Sequence, residues 1–194
     1  VTGHIKYYQN GSTDWEDSYK FVIPADGSVS FSSESDSADI DLYIYDINGT
    51  TSIISGSTYG LKEQVQFTSL MPGTYYLRVY GYSNHRGYTI TSTYTQTNYN
   101  GTQTNDSEKN DTYSTAINYF SFSNSGTASN YGHLGFYSNG YTDYEDWWVV
   151  TTTTDGKLVV KAESNTTLDV DLYIFDVNGT TSIMSGSTYG SSEQ

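Results

Sequence analysis

Two acidic pairs stand out for the chemistry they could do. Asp143 and Asp146 sit three residues apart in Asp-Tyr-Glu-Asp-Trp-Trp, and Asp14 and Asp17 repeat that spacing in Asp-Trp-Glu-Asp-Ser-Tyr. Ahead of the later pair runs an oxygen-rich stretch containing Asp106, Glu108, Asn110 and Asp111. Oxygen-bearing side chains alternating along an extended arm can direct several donors at one centre, and Asp143 with Asp146 can close its other side. Together they offer enough oxygens for the roughly six to eight that Ca2+ takes; Mg2+ suits the pattern less, because it keeps several waters and rarely uses an all-protein cage. A solvated acidic linker and a polar strand entry are the plainer readings of the same residues.

Other chemistry finds little support. His4, His85 and His133 are the histidines, and the first and last occupy equivalent positions of a repeat, as packing or turn residues would. The chain has no cysteine, hence no thiol nucleophile, zinc–thiolate site or disulfide. The nucleophile-elbow, HExxH and phosphate-loop signatures are missing from the sequence. Paired carboxylates can hydrolyse glycosides, but here they recur in a turn-like setting, which argues against catalysis. The expectation is a protein that is not an enzyme.

The elements that must position these acids come in two copies. The offset is the same for both members of the pair (143 − 14 = 129 and 146 − 17 = 129). Gly3-His4-Ile5 matches Gly132-His133-Leu134, and Asn10-Gly11 matches Asn139-Gly140. After one inserted residue, Asp39–Asp46 matches Asp169–Asp176, and Ser55–Gly60 recurs unchanged at Ser185–Gly190. The first copy continues past the point where the second stops, and the second is preceded by a stretch that the first lacks. That pattern is expected of a window cut from a tandem array, with the first repeat at 1–94 lacking its front, a linker and calcium arm at 95–112, and the second repeat at 113–194 lacking its back.

Both copies read as strands. Val29 and Phe31 alternate with serines, Leu42 and Ile44 with Tyr43 and Tyr45, and Tyr75, Leu77 and Val79 with Tyr76, Arg78 and Tyr80. In the second copy Leu158, Val160 and Ala162 should share one face, and Leu172 and Ile174 another. Asp26-Gly27, Asn48-Gly49, Asp155-Gly156 and Asn178-Gly179 mark tight turns, and Met71-Pro72-Gly73 feeds the Tyr75 strand. Short strands at such spacing predict an all-β chain folded as an antiparallel β-sandwich, jelly-roll-like, in two tandem incomplete repeats.

With the motifs in this order a family comes into view. Glu108–Asp111, then Thr142–Trp148, then Asp171–Asp176 resemble the bacterial pre-peptidase C-terminal domain. Leu70–Val79 and Gly87–Ile90 resemble that family's closing strands, and the collagen-binding domains of clostridial collagenases belong to the same group. The resemblance implies a jelly-roll sandwich whose acidic N-terminal arm and DxxD pair bind calcium. Carried over residue by residue, the implied ligands are Asp106, Glu108, Asn110, Asp111, Asp143 and Asp146. In the first copy only Asp14 and Asp17 match, since its arm would precede Val1.

Composition bounds the partners. A formal net charge of −14 repels a phosphate backbone, which excludes nucleic acid, and no apolar run approaches membrane-spanning length. Seven sequons, headed by Asn10, Asn48, Asn100, Asn105, Asn110, Asn165 and Asn178, leave glycosylation open, with Asn110 bare if it is a ligand. Tyr43, Tyr45, Tyr76, Tyr80 and Tyr82 on outward strand positions either form an aromatic surface or are covered by neighbouring structure. The expectation is a secreted or cell-surface, calcium-stabilised structural module of an extracellular fibre, with neighbouring repeats or identical chains as partners. The alternative is an accessory module of a secreted bacterial hydrolase that binds polysaccharide or a fibrous protein.

Overall fold

The computed structural model describes residues 1–82, 86–97, 110–164 and 167–194. The first strands are β1 (Thr2–Ile5), β2 (Tyr8–Gln9), β3 (Ser12–Thr13), β4 (Glu16–Ile23) and β5 (Gly27–Ser35). They are followed by β6 (Ile40–Tyr45), β7 (Ser52–Gly56), β8 (Lys62–Leu70), β9 (Gly73–Gly81) and β10 (Arg86–Gln96). Then come a 3-10 turn at Tyr113–Thr115, β11 (Ile117–Phe122), β12 (Tyr137–Ser138), β13 (Tyr141–Thr142) and β14 (Trp148–Thr152). The chain closes with β15 (Ala162–Glu163), β16 (Leu172–Phe175), β17 (Ser182–Gly186) and β18 (Ser192–Glu193).

These strands fall into two compact units, whose division does not follow the repeat in the sequence. The first holds residues 1–104 together with 133–144, and the second holds 105–132 together with 145–194. In the first unit a sheet ordered β1-β10-β5-β8-β12-β13 faces a four-stranded sheet ordered β4-β9-β6-β7. All their pairings are antiparallel except β12 with β8. The core between them is built by the alternation read from the sequence. Val29 and Phe31 of β5, Leu42 and Ile44 of β6, and Tyr75, Leu77 and Val79 of β9 are all buried, whereas Tyr43, Tyr45, Tyr76, Arg78 and Tyr80 keep partial exposure on the opposite face. A pleated strand sends successive side chains to opposite faces, so one period-2 pattern fills the core and paves the outside at once. This is the all-β sandwich the sequence predicts.

The β12–β13 hairpin lies in the second repeat by sequence but completes the first unit's sheet. Tyr137 pairs with Leu70, and Met71 N–H donates to Tyr137 O at 3.0 Å. The Tyr75 hydroxyl reaches the same carbonyl at 3.2 Å. The Tyr137 hydroxyl in turn donates to Asp46 Oδ2 at 2.9 Å, and Asn139 N–H donates to Asp46 Oδ1 at 3.1 Å. Asp46 is fully buried, so these bonds satisfy a carboxylate that would otherwise be costly to enclose. The hairpin turns on Asn139 (φ 50°) and Gly140 (φ 75°), both left-handed as a two-residue type I′ turn requires.

The second unit contains the parallel pair β11–β14 and the antiparallel pairs β15–β18 and β16–β17. The face expected from Leu158, Val160 and Ala162 is not formed as a strand; only Ala162–Glu163 pair, and Leu158 is exposed. The equivalent strand in the first copy, β5, is held between β8 and β10. In the second copy only Ala162 and Glu163 find a partner, pairing antiparallel with Glu193 and Ser192. A lone strand leaves its ladder unpaired.

Candidate functional site

The residues expected to bind a cation fall in three places. Asp106 and Glu108 lie outside the described residues. Asn110 is fully buried in the second unit, and its Nδ2 donates to Asp146 Oδ1 at 2.8 Å. Its carbonyl accepts from Trp147 N–H at 2.9 Å, and Trp147 O accepts from Ile117 N–H at 2.9 Å. The end of the arm is thereby laid against the entry to β14, and Asp111 beside it is half-buried. Asp143 belongs to the first unit and is fully buried. Its backbone closes the base of the β12–β13 hairpin, with Gly135 N–H donating to Asp143 O at 2.7 Å and Asp143 N–H to Phe136 O at 2.9 Å.

Asn110, Asp111 and Asp146 bring only oxygen ligand atoms, the chemistry of a hard cation rather than of zinc. Among the described residues no group of three or more His, Cys, Asp or Glu side chains is gathered closely enough to hold a metal. The donor set fits calcium in kind.

The first-copy pair has the same backbone setting and different side-chain surroundings. Asp14 N–H donates to Tyr7 O at 3.0 Å, as Asp143 does to Phe136, yet Asp14 is exposed. It lines an open cleft of about 740 Å³ with His4, Tyr7, Trp15, Glu16 and Tyr80. Asp17 sits on the inward face of β4 and accepts a hydrogen bond from the Tyr88 hydroxyl. That hydroxyl also lies 2.6 Å from the Tyr19 hydroxyl. Burial pushes the Tyr88 pKa well above the ordinary tyrosine value, and the bonds to Asp17 and Tyr19 push it further the same way.

A third arrangement occupies the outer face of the four-stranded sheet. Arg78 donates through Nε to Glu16 Oε2 at 2.7 Å and through Nη1 to the Tyr45 hydroxyl at 3.2 Å. Its guanidinium lies 5.0 Å from the centre of the Tyr80 ring and 5.6 Å from that of Tyr43. Tyr80 and Tyr82 meet edge to face at 4.8 Å, and Tyr82 is 54% exposed. The tyrosine alternation is legible in the sequence; the arginine at its centre is not, because its partner Glu16 is 62 residues away.

Comparison with known proteins bears on the first unit. The family model of the bacterial pre-peptidase C-terminal domain matches residues 16–81. No curated protein matches the chain. Among solved structures, the pre-peptidase C-terminal domain of collagenase from Bacillus anthracis is 19% identical, with 48% of this chain and 86% of that one covered and a TM-score of 0.41. From β4 to β9 the first sandwich is therefore similar to the bacterial pre-peptidase C-terminal domain, the family that its sequence motifs resemble.

Proposed function

We propose that this chain is a non-catalytic accessory module of a secreted bacterial peptidase, and that it holds the enzyme on an insoluble extracellular fibrous protein. The observation that carries this reading is the family match over 16–81, which spans β4 to β9. It includes Arg78 with Glu16, Tyr43, Tyr45 and Tyr80 of the aromatic face, Tyr82 standing just past it. Flat tyrosine surfaces offer large contact area with little rotamer entropy to lose, and an arginine at the centre adds hydrogen bonds to backbone carbonyls of a partner. Co-sedimentation with fibrillar collagen, cellulose and chitin tests it. Retention on the fibrous protein, reduced at least tenfold by Tyr80→Ser with Tyr82→Ser, is the expected result. Retention on cellulose or chitin alone would move the reading to polysaccharide, and retention on none would remove it.

A second reading, a module strung into an extracellular fibre, is favoured by the β12–β13 hairpin, a piece of the second repeat that serves as an edge of the first sandwich. Calcium belongs to either reading. Asn110, Asp111, Asp143 and Asp146 would hold it together with Asp106 and Glu108, and in the first copy Asp14 and Asp17 are the matching pair. The ion would supply charge neutralisation and a fixed crossing point for the arm; the protein residues alone already tie Asn110 to Asp146.

A further inference from the structure

The hairpin that completes the first sandwich has a twin near the start of the chain. Residues 4–15 repeat the sequence pattern of 133–144 and also its backbone. Lys6 and Gly135 are both left-handed (φ 64° and 85°), as are Asn10 and Asn139 (52° and 50°) and Gly11 and Gly140 (84° and 75°). β2 pairs with β3 in the register in which β12 pairs with β13, Tyr8 standing opposite Thr13 as Tyr137 stands opposite Thr142. The difference lies in the leading tyrosine. Tyr137 packs on the first unit's core and bonds Asp46, whereas Tyr8 is 73% exposed.

The receptor also occurs in two states. Asp46 and Asp176 close the same backbone turn, with Gly49 N–H and Gly179 N–H donating to their carbonyls at 2.8 and 2.9 Å. With a hairpin docked, the Asp46 carboxylate bonds Tyr137 and Asn139, and the turn's own amides at Thr50 and Thr51 are capped instead by Asn48 Oδ1. Asp176 shows the other arrangement. Its carboxylate folds back onto Thr180 N–H and Thr181 N–H at 3.1 and 3.3 Å, and these bonds hold its pKa below the usual carboxylate range. One turn sequence thus has a hairpin-bound and a self-capped form.

We infer that the hairpin of residues 4–15 is a docking plug for the sandwich of another copy of this repeat, with the Tyr8 hydroxyl donated to that copy's counterpart of Asp46. This deepens the strung-module reading by naming the contact and its partner. The polarity is head to tail, since plug and receptor are different surfaces, and such a contact propagates into an open string wherever its rotation does not close a ring. Within one chain the receptor on the first unit is filled by 133–144, whose tether gives it a local concentration that a plug from another chain cannot match.

The test empties that receptor in the full chain. Tyr137→Ala should release the internal hairpin and allow the 4–15 plug of a second chain to enter. The variant is expected to associate in a concentration-dependent way in sedimentation equilibrium, more tightly than the parent, with the association weakened at least tenfold by adding Tyr8→Ala. A folded Tyr137→Ala chain that associates no more than the parent, or whose association ignores Tyr8→Ala, overturns the inference. Should Tyr137→Ala not fold, Tyr137→Phe removes the hydroxyl with its bonds to Asp46 and Gly140 N–H, and a labelled synthetic peptide of residues 4–15 serves as the probe. That peptide should bind the Phe variant and lose at least tenfold in affinity on Tyr8→Ala; no binding overturns the inference. The strung-module reading has its own test in images of the native assembly, so the two can fail separately.

Discussion

At the scale of single residues, the first sandwich is marked by hydroxyls and carboxylates buried as partners. Tyr88 donates to Asp17, Tyr137 to Asp46, and Tyr75 to the carbonyl of Met71 at 3.0 Å. Burial raises the pKa of Tyr75 to about 12 and that of Tyr88 further. The folded chain therefore keeps protons that the unfolded chain gives up above about pH 10. Stability is complete below that pH and falls as pH rises through the folded values, because the native state then binds more protons than the unfolded one. In an alkaline titration the last of the tyrosinate absorbance should appear only as near-ultraviolet circular dichroism collapses. Tyr75 and Tyr88 titrating freely in a chain that stays folded would contradict the buried hydrogen bonds.

At the scale of elements, the β12–β13 hairpin is a docked edge of the first sandwich. Asn139 and Gly140 must both hold positive φ, and Gly140 N–H donates to the Tyr137 hydroxyl at 3.1 Å. An alanine at 140 pays about 1–2 kcal/mol for the left-handed conformation, although no neighbouring atom blocks its Cβ. Gly140→Ala should thus loosen the hairpin without unfolding the sandwich. The amide of Met71, which donates to Tyr137 O, is expected to exchange roughly tenfold faster, while amides of β9 paired with β4 and β6 keep their protection. Equal loss across β9 would mean that the hairpin is part of the cooperative core rather than a docked edge.

At the scale of the whole molecule, the proposed calcium ion would offset part of a net charge of −14. Calcium chloride should raise the melting temperature, and chelation should lower it. At an ion concentration of about a hundred times Kd the stabilisation is about 2.7 kcal/mol. Asp146→Asn should abolish most of the calcium response, and Mg2+ at equal concentration should produce a smaller one. Scanning calorimetry with and without chelator makes the measurement; a transition indifferent to both ions would leave the acids with hydrogen-bonding roles alone.

The sequence by itself determined the first copy's strands, their inward and outward faces, the turns and the repeat, because period-2 alternation and Asn-Gly or Asp-Gly pairs act over a few residues. The strand face expected from Leu158, Val160 and Ala162 needed long-range partners and formed only at Ala162–Glu163. The sequence also showed the resemblance to the pre-peptidase C-terminal domain, one motif of which, Leu70–Val79, falls within the matched residues 16–81. What only the tertiary structure decided is where equal motifs end up. Asp17 and Asp146 hold the same place in the repeat, yet one bonds Tyr88 from the opposing sheet and the other bonds Asn110 from the arm. Residues 133–144 read as the opening of the second repeat and serve as an edge of the first sandwich. Each of these fates depends on a partner tens of residues away, and no local pattern encodes which distant surface a buried carboxylate or an unpaired strand edge will find.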